Sequence, residues 1–143
     1  MKKIYIDSDI LLDIFLLRDK FYNPASELLT LADLKKVHAV TTPLVFSNLF
    51  YILSKYKSKN LAIKTLRTLE AILEIIPVTR KSTTLGLNSK FSDFEDALQY
   101  FSSVEAGVKY IITRNSKDYK HSKIPVMSAE QFMLLYNKVN TKS

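Results

Sequence analysis

The chain has no cysteine, two glycines, four prolines and two histidines. Without thiols there can be no disulfide, thiolate nucleophile or cysteine-held zinc. His38 and His121 offer too little imidazole for a histidine-based metal centre, so any divalent ion must be a hard one held by oxygens. The scarcity of glycine and proline excludes a low-complexity or linker-rich chain, and no repeat or natural break divides it. Long apolar runs are missing too. MKKIYIDSDILLDIFLL meets Asp7, Asp9 and Asp13 before reaching signal-peptide or membrane length. A cytoplasmic protein with no membrane partner is expected.

What remains is an ordinary globular composition, 47% hydrophobic and 24% charged over 143 residues. That length buries roughly two thirds of the surface an unfolded chain exposes, enough for one core. One domain is expected over residues 1–138, with a frayed or disordered tail at 139–143. The formal net charge of +7 suits a polyanionic partner such as nucleic acid, or an acidic protein.

Short apolar runs alternate with helical patterns. KIYID (3–7) reads as a buried strand and residues 9–17 as a helix. In NPASELLTLADLKK (23–36), Asn23 is placed as N-cap and Pro24 at the first helical position. HAVTT (38–42) is a second strand, and Thr42 caps a helix over TPLVFSNLFYILSKY with Pro43 inside its start. A helix over 58–74, a strand at EIIPV (74–78) and a helix near 80–88 follow. SDFEDALQYFSSVEAG then runs to Gly107 as a helix, KYIITRN (109–115) is the clearest strand, and IPVM (124–127) is the last one. SAEQFMLLYNK (128–138) closes the chain with a capping signature in Ser128 and Gln131. The pattern predicts a three-layer α/β/α sandwich around a mostly parallel sheet of four to five short strands.

The acids then stand out. Ser92 and Glu95 form a capping box, which accounts for two residues of SDFEDALQYF but leaves Asp93 and Asp96 on one helix face without a full explanation. In a parallel sheet, ligands gather at the carboxyl ends of strands. Asp7 ends the first strand, Asp118 follows the fourth, and the Asp93/Asp96 helix should start on the same edge. Carboxylates crowded together raise one another's pKa unless a cation neutralises them, which points to Mg²⁺ or Mn²⁺. Asp13, Arg18 and Asp19 are read as surface or helix-end charges, and Tyr100, Phe101 and Phe132 as core. Lys117, Lys120 and Lys123 bracket Asp118 and are candidate RNA contacts.

DSD after an early strand, DFEDALQYFSS opening a helix, and IITRN with an acid three residues on in TRNSKDY together resemble the PIN-domain ribonucleases, including VapC-type toxins of toxin–antitoxin pairs. The resemblance runs from about residue 3 to 135. It implies an endoribonuclease that hydrolyses RNA phosphodiesters, with Asp7, Asp96 and Asp118 holding Mg²⁺ or Mn²⁺ and Asp93 as a fourth contributor. Thr113 and Asn115 match polar positions that orient the acids or touch a phosphate. An antitoxin partner and a homodimer are also implied. One position departs from the family pattern: Asn48 stands where a glutamate is usual.

Two other readings stay open. IYIDSD also fits a haloacid-dehalogenase-type phosphatase with Asp7 as nucleophile and Asp9 as acid, although Leu11 stands where that family needs a hydroxyl or valine. A PIN-like module that binds RNA or protein without cleaving it is favoured by Asn48.

Overall fold

A computed structural model describes residues 2–141. Five strands form one parallel sheet: β1 (Lys3–Ile6), β2 (His38–Thr41), β3 (Glu74–Ile75), β4 (Tyr110–Ile112) and β5 (Val126–Met127). Their order is β3-β2-β1-β4-β5. The chain therefore steps outward from β1 to β3, then returns to β4 on the other side of β1. Right-handed crossovers running in opposite directions put their helices on opposite faces of a sheet. The result is the expected three-layer α/β/α sandwich.

The helices are α1 (Ser8–Phe15), α2 (Asp19–Asp33), α3 (Pro43–Tyr56), α4 (Lys59–Ile72), α5 (Arg80–Leu87), α6 (Phe94–Glu105) and α7 (Ala129–Asn140), with a 3₁₀ turn at Ser116–Tyr119. Helices α1 to α4 and α7 pack together as one set, and α5 packs on α6. Central strands have no solvent-facing side, so β1 and β4 read as continuous apolar runs, and Ile4, Tyr5, Ile6, Ile111 and Ile112 are all buried. Tyr100 and Phe132 are buried as expected, and Phe101 packs partly buried against the same core.

Local signals held at most helix ends. Thr42 accepts from the Val45 N–H, Ser58 caps α4, and Ser128 and Gln131 complete a capping box. Gly107 follows α6 at φ 77, the left-handed conformation that ends helices cheaply in glycine.

Four expectations need correction. Helix α2 begins at Asp19, with Arg18 as its N-cap, so Asn23 is no cap and Pro24 lies inside the helix. At Pro24, the sixth helical residue, the ring removes the bond that an N–H there would donate to Lys20 O. The start of α6 is capped by Asp93, which accepts from the Asp96 N–H at 3.0 Å, and not by Ser92. The Asp93 carboxylate, one residue further on, satisfies the Asp96 N–H where a Ser92 cap would have taken the Glu95 N–H, which leaves Ser92 outside the helix. Asp13 is no surface charge but fully buried. Finally, α7 continues through Asn140, so the expected tail is helical at 139–140, while residues 142 and 143 lie outside the described residues.

Candidate active site

Strand order reverses between β1 and β4, and their carboxyl ends form the crevice where such sheets bind ligands. Asp7 stands at the end of β1, where its N–H bonds Ile112 O at 3.0 Å and its side chain caps α1. Oδ1 accepts from the Ser8 N–H at 2.9 Å and the Tyr5 hydroxyl at 3.1 Å. Oδ2 accepts from the Thr113 hydroxyl at 3.0 Å and the Tyr119 hydroxyl at 3.3 Å. Burial pushes the Asp7 carboxyl above its ordinary range, and these four donors pull it back.

The segment after β4 closes over this point. Thr113 is buried, and its hydroxyl lies 3.3 Å from Asp9 Oδ2 as well as bonding Asp7. Its single proton cannot serve both acceptors at once, and the shorter contact is with Asp7. Asp9 Oδ2 also takes the Arg114 N–H at 3.0 Å, whereas Asp9 Oδ1 is buried without a hydrogen-bond partner. Burial and then the Asp7 charge push Asp9 up to about 6. Asn115 is exposed, and its N–H donates to the Thr113 hydroxyl at 3.1 Å. The 3₁₀ turn then leaves Asp118 exposed and turns Tyr119 inward.

Helix α6 supplies the third segment. A buried bond from the Thr42 hydroxyl to Gln99 Oε1, 2.5 Å long, ties the helix to the end of β2. Gln99 lies three residues after Asp96, so the bond fixes the helix face that carries the acid. Burial first, then the charges of Asp93, Asp7, Asp118 and Glu95, push the Asp96 carboxyl up to about 7. Three of those four are the other acids singled out in the sequence.

Among the described residues no three acids or histidines stand close enough to close a complete ligand set around a bare ion. The donor chemistry still fits a hard cation. Only oxygens are available, and Asp96 is surrounded by negative charge while the nearby Arg114 guanidinium is taken up by Asp13. Mg²⁺ keeps several waters and binds through one or two carboxylates, which suits acids that share an opening without touching.

Asn48 lies half-buried on α3, and its amide donates to the Ser8 hydroxyl at 3.0 Å. Lys117, Lys120 and Lys123 are exposed on and after the 3₁₀ turn. His38 pairs with Glu74 at 2.5 Å on the surface, and His121 packs against Phe91. Tyr5, Tyr119, Gln99 and the Asp13–Arg114 pair escaped the sequence reading. Tyr119 alone had a signal available, because it adjoins Asp118.

The PIN-domain family model matches residues 3–117. The chain belongs to the PIN-domain family. A curated PIN-domain relative, ribonuclease VapC1 of Aquifex aeolicus (strain VF5), is 26% identical over 141 residues, covering 95% of this chain and 96% of its own. Among solved structures, VapBC2 from Rickettsia felis bound to a promoter DNA fragment superposes with a TM-score of 0.67 at 21% identity, covering 88% of this chain and 97% of that one. FitAcB from Neisseria gonorrhoeae gives 0.69 at 13% identity, covering 88% and 97%. These likenesses confirm the PIN fold. The family match takes in IYIDSD, and with it the phosphatase reading fails.

Proposed function

We propose that this PIN-domain protein is a Mg²⁺- or Mn²⁺-dependent endoribonuclease and the toxin of a toxin–antitoxin pair, acting in the cytoplasm. The observation that carries the reading is the Asp96 carboxyl, pushed up to about 7 first by its own burial and then by the charges of Asp93, at its own helix start, and of Asp7 and Asp118 from two other segments. Acids that repel one another in this way are neutralised when a cation binds among them. The relative named ribonuclease VapC1 supports the activity. Neighbours solved as toxin–antitoxin complexes, one of them from Klebsiella pneumoniae, support a protein partner.

Asp7, Asp96 and Asp118 would hold the ion, with Asp93 as a further ligand through the oxygen it does not use for capping. A bound divalent ion supplies Lewis acidity toward a phosphodiester oxygen and lowers the pKa of water. Thr113 fixes the orientation of Asp7, and Gln99 fixes that of Asp96 through α6. Asn115, exposed just after Thr113, would touch a phosphate. Lys117, Lys120 and Lys123 bring positive charge to the RNA backbone on the same side as Asp118. A homodimer belongs to the same proposal.

Asn48 favours a second reading, a binding module without cleavage, because the amide adds no charge and donates to Ser8. RNA cleavage assayed in Mn²⁺ with the wild type and Asp96→Asn separates the two. Cleavage lost in the variant supports the nuclease; tight RNA binding without cleavage by the wild type supports the binding module.

A further inference from the structure

The Asp7 carboxylate has no lone pair to spare. A carboxylate offers about four acceptor sites, and Ser8, Tyr5, Thr113 and Tyr119 fill them, two on each oxygen. A cation can reach Asp7 only if one donor withdraws.

The four donors differ in how firmly they are held. The Ser8 N–H belongs to the first turn of α1. Tyr5 is fully buried on the central strand. The Thr113 hydroxyl accepts from Asn115 N–H and stands at the end of β4, with its shorter contact to Asp7 at 3.0 Å and Asp9 Oδ2 as a second acceptor at 3.3 Å. Tyr119 sits on a four-residue 3₁₀ turn whose other members are exposed, and its bond to Asp7 is the longest of the four at 3.3 Å. Rotation about its C–O bond would turn the proton away from Oδ2 without moving the ring.

We propose that the Tyr119 hydroxyl competes with the metal for Oδ2 of Asp7, making Tyr119 a positioning residue that holds metal affinity down. The proposal rests on the reading of Asp7 as a metal-binding acid. It concerns only what stands in the ion's way.

The test is calorimetric titration of the full chain with Mn²⁺, comparing the wild type with Tyr119→Phe. Deleting one neutral hydrogen bond that the ion must break should tighten binding about three- to tenfold. In parallel, Mg²⁺ added to the wild type should give a near-ultraviolet tyrosine difference spectrum that saturates with the ion, and this signal should vanish in Tyr119→Phe. Should the variant fail to fold by circular dichroism, the wild-type spectrum decides. Equal or weaker Mn²⁺ binding by a folded Tyr119→Phe overturns the proposal and leaves the metal site standing, as does a flat spectrum while calorimetry shows binding. No heat from either protein overturns both.

Discussion

Arg114 grips the fully buried Asp13 at two points, Nε to Oδ2 at 2.9 Å and Nη2 to Oδ1 at 2.9 Å. Arg18 adds a third contact to Oδ1 at 3.3 Å, and the Arg114 guanidinium lies 4.0 Å over the Phe21 ring centroid. The pair ties the residue after Thr113 to α1, and so holds the end of β4 beside Asp7. Removing one partner from a buried pair strands the other charge. Arg114→Ala should therefore cost about 3 kcal/mol of stability, read by urea unfolding. The double variant Asp13→Leu/Arg114→Met should recover much of that loss, because no unpaired charge is left inside. A double variant as unstable as Arg114→Ala would show that packing, not charge, is at stake.

Asp96 makes the opposite prediction for stability. Its carboxyl lies at about 7 in the folded protein against 3.8 for an ordinary aspartate. The native state therefore binds more protons between those values, and stability falls as pH rises from about 4 to about 7. With allowance for solvent screening, Asp96→Asn should stabilise the metal-free protein by roughly 1 kcal/mol at pH 8, or about 3 to 5 °C in Tm. The gain should shrink toward pH 4, while RNA cleavage is lost at every pH. Equal melting curves for the two proteins at pH 8 would rule out the strained carboxyl.

In the proposed site Thr113 would act through Asp7. Thr113→Val keeps the shape and removes the hydroxyl that bonds Oδ2. Loss of such a supporting bond should lower cleavage at least tenfold, within the roughly 10- to 100-fold range typical of groups behind a metal ligand. Cleavage kinetics at saturating Mn²⁺ should show the loss in kcat more than in KM. An unchanged kcat would mean that the strand end holds Asp7 without it.

The lysines around Asp118 should act through salt. Neutralising Lys117, Lys120 and Lys123 one at a time should reduce the slope of log affinity against log salt by about 0.7 for each lysine that contacts a single-stranded phosphate. Binding of catalytically inactive protein to a labelled RNA at several salt concentrations measures this. A slope indifferent to all three would place the RNA elsewhere.

Much of this architecture could be read in advance because each element signals itself locally. Thr42 before Pro43, Ser128 before Gln131, and the apolar run of β4 need no tertiary context. The edge to look at was legible for a different reason: parallel topology sends strand ends and helix starts to the same side of the sheet. The Asp13–Arg114 pair was hidden because its partners lie 101 residues apart, and a lone aspartate between apolar neighbours reads the same whether it faces water or a guanidinium. Tyr5 and Tyr119 were hidden by their rings, which belong to the core while their hydroxyls reach Asp7. The shift from Ser92 to Asp93 was a contest between two competent caps, decided by where the loop delivers the chain.

The bond from Thr113 to Asp7 spans 106 positions. While the chain is being synthesised, β1 leaves the ribosome long before β4 exists to lie beside it. A truncated or half-made copy would carry Asp7 without Thr113 and Asp118. The proposed site would thus stay incomplete until most of the chain has emerged.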